Sequence, residues 1–234
     1  MTKYSAYMPQ SRRGLLVSST FLFLLSGCSG IIGPSGPPPQ IYVLQPDLHV
    51  LDEAPRVSWQ LAIAAPGASE SLDTPRIALH RGATLDYFAD ARWTDAVPLL
   101  VQAKLVEAFE KSARIPAVAA TSDAVRADYV IETTLRDFEA RYDSQNGAPT
   151  IVVDIVVHLV TAGRNDVIAT HDFHQEAPAA RNDIPSVVAA FNQAAGAAFE
   201  EIAGWTLHEP AVEKTGAVPS TTPAPVTRRH KIAS

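Results

Sequence analysis

The chain has 234 residues, 47% of them hydrophobic and 19% charged, with one cysteine and a formal net charge of −6. These values exclude a collagen-like, a wholly disordered and a disulfide-stapled protein, and both ends read as non-globular, which leaves length for one core. With 19 basic against 25 acidic residues, no surface is set up to neutralise a phosphate backbone, so nucleic acid is not an expected partner.

Lys3, Arg12 and Arg13 are the only charges before residue 28, and they precede an uncharged run from Leu15 to Leu25. A helix needs about 20 apolar residues to cross the hydrocarbon core, so this shorter run reads as an export signal and not as a permanent span. It ends in Leu25-Ser26-Gly27-Cys28, which resembles a bacterial lipobox: small residues directly before a cysteine that is lipidated and becomes residue one. Residues 1–27 are therefore expected to be a lipoprotein signal peptide, and Cys28 the lipidated N-terminus carrying acyl chains such as palmitate. A lone cysteine in an oxidising, exported compartment has no intramolecular partner, which fits a thiol consumed by lipid. At about 0.8 kcal/mol per buried methylene, one acyl chain holds marginally, whereas the three chains of a mature bacterial lipoprotein hold durably. An Asp directly after the cysteine tends to retain such proteins at the inner membrane; Ser29 stands there, so the expected address is the outer membrane, facing the periplasm. Removing residues 1–27 takes away three positive charges and leaves −9 on the mature side chains, so a basic adhesion surface is not the attachment device.

Residues 28–40 read as the lipidated cysteine and a spacer, with Gly30, Gly33 and Gly36 ahead of the Pro37-Pro38-Pro39 triplet. Glycine loosens its first part, while consecutive prolines extend by about 3.1 Å per residue. The folded domain is expected over 41–208. Ile41 to Leu44 and Val57 to Ala64 read as strands, and Arg76 to His80 and Leu85 to Phe88 as a hairpin around Gly82. A helix follows, capped by Thr94 with Asp95 in its first turn, Pro98 nearby and an end near Arg114; Leu99, Ala103, Val106, Phe109 and Ala113 form its expected core stripe. Tyr129 to Phe138, Ile151 to Val160 and Val167 to Gln175 read as three strands. Short turns at Ser144 to Pro149 (with Asn146-Gly147) and at Ala162 to Asp166 join them into an antiparallel meander whose middle strand is central and partly buried on both sides. Val188, Phe191, Ala195, Ala198, Ile202 and Trp205 mark a final helix of about five turns, capped by Asp183 with Pro185 in its first turn. The expected fold class is α+β, two-layer, a mostly antiparallel sheet with two long amphipathic helices. Residues 209–234 lack periodicity and end on Arg228-Arg229-His230-Lys231, and read as a disordered tail.

The order of pieces resembles the ABC-type transport auxiliary lipoprotein family, which includes PqiC-like subunits of membrane-integrity transport systems. The resemblance is carried by Tyr42-Val43-Leu44, by the stretches 72–81 and 85–93, by Ala127-Asp128-Tyr129-Val130-Ile131, by Asp137-Phe138-Glu139 and by Ile202-Ala203-Gly204-Trp205. It covers most of the mature chain and rests on their order, since none is a sharp catalytic motif. The resemblance implies a periplasm-facing, non-catalytic auxiliary of an ABC transporter or a mammalian-cell-entry (MCE) domain protein in lipid transport. A homo-oligomer is also expected. The alternative is a free-standing envelope-structural or cell-wall-binding lipoprotein that uses the basic tail as its contact.

An enzyme is the third reading, and it lacks support. The chain has no G-x-S-x-G, no H-E-x-x-H and no glycine-rich phosphate loop, so neither a catalytic centre nor a cofactor is expected. His171 and His174 are the best metal candidates, but strand positions three apart point to opposite faces. Asp137, Glu139 and Asp143 have no identifiable nucleophile beside them and read as a solvated strand end. Tyr87, Phe88 and Trp93, three aromatics within seven residues, are candidate partner-binding residues, weighed against simply covering the start of the first helix.

Overall fold

A computed structural model describes residues 38–123, 126–144 and 147–209. The signal segment, Cys28, the linker up to residue 37, Asn146 and the tail from residue 210 lie outside the described residues.

Three long strands carry the fold: β7 (Tyr129–Tyr142), β8 (Thr150–Thr161) and β9 (Val167–Pro178). To number them in chain order, β1 is Gln40–Tyr42, β2 Leu61–Ile63, β3 Gly67–Ala68, β4 Arg76–Arg81, β5 Thr84–Trp93 and β6 Val118–Ala120. The pairs β7·β8 and β8·β9 are antiparallel, as the short connections between them require. Ile151, Val153, Ile155, Val157 and Leu159 of β8 are fully buried on one face, and on the other Val152 and Val160 are 1% exposed while Asp154 and His158 are half-buried, so this strand is central and largely buried on both faces.

The rest of the sheet corrects the expectation of a mostly antiparallel arrangement: it is mixed. Along its other edge β7 accepts β2, β3 and β4 in parallel, one after another. The pairs β1·β5 and β2·β6 are parallel too, while the β4·β5 hairpin is antiparallel. The cause is the path of the chain. β2, β3 and β4 are separated from β7 by long connections, among them the helix α1 (Val97–Ser112), and such a crossover returns the chain in the same direction.

Helix α1 starts later than expected and buries a different face. Ala96 occupies the cap position without a side-chain hydrogen bond. Thr94 does not cap, because its N–H is bonded to the Tyr42 carbonyl at 3.0 Å and holds the chain extended beside β1. The buried face is Leu100, Val101, Leu105, Ala108, Phe109 and Ser112, whereas Leu99 is 53% exposed. Three consecutive apolar residues, Leu99-Leu100-Val101, offer two registers with similar spacing, and only tertiary contact selects between them. The helix ends as expected just before Arg114, with Ala113 left-handed at φ 53°. Arg114 then ties down the preceding loop through the Leu51 and Asp52 carbonyls at 2.9 and 2.6 Å. This loop is also why the strand expected from Val57 shrinks to β2: the Val57 N–H goes to the Arg114 carbonyl and the Gln60 N–H to the Asp128 carboxylate.

The second helix, α2 (Ile184–His208), matches its sequence signals and is longer, at 25 residues. It packs across β8 and β9 with α1 beside it, giving the second layer. Its alanines and Gly196 permit close approach; a Cβ on Gly196 would stand 3.1 Å from that of Pro46. Asp183 caps it by accepting the Ser186 N–H at 2.8 Å, with Pro185 in the first turn. Arg181, and then the Ser186 N–H, hold the Asp183 carboxyl down at about 2. A depressed folded-state value means that this contribution is complete above the ordinary value of 3.8 and is lost as pH falls toward about 2. Asp183→Ala is therefore expected to lower the melting temperature by a few degrees at neutral pH, and Asp183→Asn by less, with the gap to the parent closing between about pH 4 and pH 2. Thermal melts followed by circular dichroism over that range check it.

Candidate functional site

The three aromatic candidates do not form one surface. Tyr87 stands opposite Ala78 in the hairpin, lies under the Arg76 guanidinium at 3.6 Å from the ring centre, and donates its hydroxyl to the Ser71 carbonyl at 3.1 Å. Phe88, its neighbour on the strand, points to the opposite face and is packed half-buried against the core. Trp93 is 1% exposed, edge-on to Phe138 and Phe191, and so is corrected from a contact residue to a core residue. The β4·β5 register explains this. Ala78 faces Tyr87 but Arg76 faces Arg92, so β5 accommodates extra residues in an irregularity that separates Trp93 from the other two.

The histidines of β9 separate as strand geometry requires. His171 lies on the helix side, stacked on Trp205 with ring centres 5.7 Å apart and tilted against Phe173. His174 lies on the opposite face of the sheet, between Asp154 Oδ2 at 3.2 Å and Glu176 Oε1 at 3.3 Å. Asp154, then Glu176, raise its pKa by favouring the imidazolium. Among the described residues no group of three or more His, Cys, Asp or Glu side chains is arranged to hold a metal ion.

That outer sheet face carries the most organised polar array in the chain. Register sets Asp137 directly opposite Asp154, an arrangement that repels unless neutralised. Arg136 is the extra residue of a bulge at this point, and its guanidinium pairs with Asp172 and approaches Asp154 at 3.8 Å. Arg141 bonds Glu139 at 3.0 Å and Asp137 at 3.4 Å, and His80 reaches Glu139 at 2.9 Å. Glu139 is 3% exposed, so the solvated strand end expected for it becomes a buried, paired carboxylate. The sequence gives the charges but not the bulge, and without the bulge Arg136 cannot be placed between the two acids. Each of these acids is engaged by a cation or a histidine, an arrangement suited to holding a surface in shape rather than to proton transfer. Two open depressions lie elsewhere: about 360 Å³ around Pro178, Arg181, Pro185 and Gln193, and about 260 Å³ around Arg81, Tyr142 and Ser144. Neither brings a histidine and a carboxylate together.

Comparison with known proteins places the fold. The uncharacterized protein bll6063 of Bradyrhizobium diazoefficiens is 29% identical over 185 residues, which is 79% of this chain and 49% of that protein. The chain thus spans about half the length of this curated relative. The crystal structure of protein XCC0632 from Xanthomonas campestris superposes with a TM-score of 0.68 at 29% identity, covering 75% of this chain and 97% of that one. A second crystal structure, of an uncharacterized protein, shares the fold at a TM-score of 0.55 and 16% identity, covering 71% of this chain and 97% of that one. The family model for the ABC-type transport auxiliary lipoprotein component matches residues 42–203, from the end of β1 to the last turns of α2. With nearly all of the two-layer domain inside that match, the chain belongs to the family of ABC-type transport auxiliary lipoprotein components.

Proposed function

We propose that this protein is a non-catalytic auxiliary subunit of an ABC transporter that moves lipid between the envelope membranes, tethered to the outer membrane through Cys28 and facing the periplasm. In this reading its partner is an MCE-domain protein or the transporter itself, and it works as a homo-oligomer. The observation that carries the proposal is the family match across residues 42–203. Three further observations support it. Among the described residues no helix is long and apolar enough to cross a membrane, so a lipid on Cys28 would supply the attachment. The Gly/Pro spacer after Cys28 gives the domain reach toward a partner. The open sheet face offers a fixed pattern of paired charges, suited to positioning a protein rather than to chemistry.

The test is affinity capture of the full-length chain from mildly solubilised envelopes, followed by identification of what co-purifies. An ABC permease, its ATPase or an MCE-domain protein is expected in near-stoichiometric amount. Capture of the intact chain without any transporter subunit, together with peptidoglycan binding that disappears on deleting 209–234, would instead establish the cell-wall alternative through Arg228, Arg229 and Lys231.

A further inference from the structure

The β9 strand is the long open edge of the sheet. It pairs with β8 and with no other described strand, so the outward N–H and C=O groups along its twelve residues take part in no strand pairing. The other terminal strands, β1 and β6, have three residues each. Proteins usually blunt such an edge with charged side chains, lysine above all, with proline or with a bulge. Here the one irregularity lies at the Val167 end, the one proline is Pro178 at the other end, and no lysine occurs between them. What the edge carries instead is an ordered set of charges on the outer face: Thr170, Asp172, His174 and Glu176.

From this edge we infer that two copies of the chain join β9 to β9, antiparallel about a two-fold axis, with Phe173 facing its own copy at the centre. A two-fold axis normal to the sheet pairs residues that share a face, so every allowed register centres on one residue. Centring on Asp172 sets two aspartates against each other. Centring on His174 sets Asp172 against Glu176 twice. Centring on Gln175 pairs His174 with Glu176 but overlaps only residues 172–178. Centring on Phe173 sets Asp172 against the second copy's His174 twice and Glu176 against Thr170, and it overlaps residues 168–178, nearly the whole strand. The charges that oppose the neighbouring registers thus favour this one.

Both side chains keep accessible surface beyond the partners they have within the chain, Arg136 for Asp172 and Asp154 and Glu176 for His174: Asp172 is 51% exposed and His174 50%. The acids flanking His174 keep it inclined to the imidazolium, the form that suits an opposing aspartate. On the helix side, Phe173 is already buried and roofed by Trp205, so the centre of the seam needs no new polar burial. His171 would stand opposite Gln175 and Ala169 opposite Ala177, pairs without like charge. The seam extends the β7–β9 sheet across both copies and leaves the outer face with its charge array open to another partner.

This inference rests on the self-association within the proposed function and not on which transporter is bound. The experiment uses full-length chains in envelopes, Asp172→Cys with one affinity tag and His174→Cys with another, under mild oxidation. A mixed disulfide between the two tags is expected to exceed self-linking of either chain alone by about tenfold, because opposed positions bring Cβ atoms into bridging range and diagonal ones do not. The parent chain, whose one cysteine is Cys28, sets the background. The mass of the detergent-solubilised parent, corrected for detergent, is measured in parallel and should be a dimer or an even multiple. Self-linking of either variant at the level of the mixture would overturn the register. A monomer mass, or linkage of position 174 to a transporter subunit in place of a second copy, would overturn the pairing while leaving the proposed transport role standing.

Discussion

Exchanging residues 1–28 for an export signal that carries no lipidated cysteine is expected to move the protein from the membrane pellet to the soluble periplasmic fraction. The single change Cys28→Ala is expected to abolish the acyl mass on the N-terminus. The reason is additive and large. At about 0.8 kcal/mol per buried methylene, three acyl chains give an attachment that washing with salt does not reverse. Residues 29–234 offer little to replace it: no described helix is long and apolar enough to cross a membrane, and their side chains carry −9, which repels anionic headgroups. Fractionation with high-salt washes and mass spectrometry of the N-terminal peptide decide the matter. The signal exchange removes the complication that an uncleaved signal segment could itself hold Cys28→Ala in the membrane. A soluble parent chain, or an exchanged chain that stays in the pellet, would sink the lipid-anchor part of the proposal.

The meander β7–β9 and helix α2 were legible because each is long: strands of fourteen, twelve and twelve residues bounded by turn signals, and 25 residues of helix with a cap at its head. Of the short strands, β1 and β2 were legible only within the longer runs expected from Ile41 and Val57, and β3 and β6 were not legible at all. β2 has three residues and β3 two, too few to carry any period, and their existence depends on β7 lying beside them. Alternation also says nothing about strand direction, which is set by the crossovers, so the parallel half of the sheet was hidden in connections rather than in strands. The misread face of α1 has a local cause in Leu99-Leu100-Val101, where two apolar stripes differ by a third of a turn. For the site, the residue types were visible and their grouping was not. Tyr87, Phe88 and Trp93 are close in sequence and parted by an irregular strand, whereas Arg136, Asp154 and Asp172 are distant in sequence and joined by a bulge. Both outcomes turn on insertions of one or a few residues in a ladder, which composition does not reveal.

The aromatic cluster that took in Trp93 makes the largest stability prediction. Phe138 and Phe191 stack at 5.0 Å, and Trp93 meets Phe191 edge-on at 5.2 Å and Phe138 at 6.2 Å. None of the three exceeds 1% exposure, and together they join β5, β7 and α2. Phe191→Ala removes a ring touched by both others, and such truncations cost about 3–5 kcal/mol against a total of about 5–15 kcal/mol for a domain. At about 2–4 °C per kcal/mol for a domain of this size, the melting temperature should fall by about 6–20 °C. Trp93→Phe should behave quite differently. The indole Nε1 is buried with no hydrogen-bond partner among the described residues, so the native chain already bears the desolvation cost of that donor. Deleting it relieves that cost and offsets the volume lost with the second ring, so the net change should stay within about 1.5 kcal/mol. Urea denaturation of the two variants separates these cases. A Trp93→Phe chain destabilised as much as Phe191→Ala would mean that the indole N–H is satisfied, by water or otherwise, and that the cluster is held by a hydrogen bond as well as by packing.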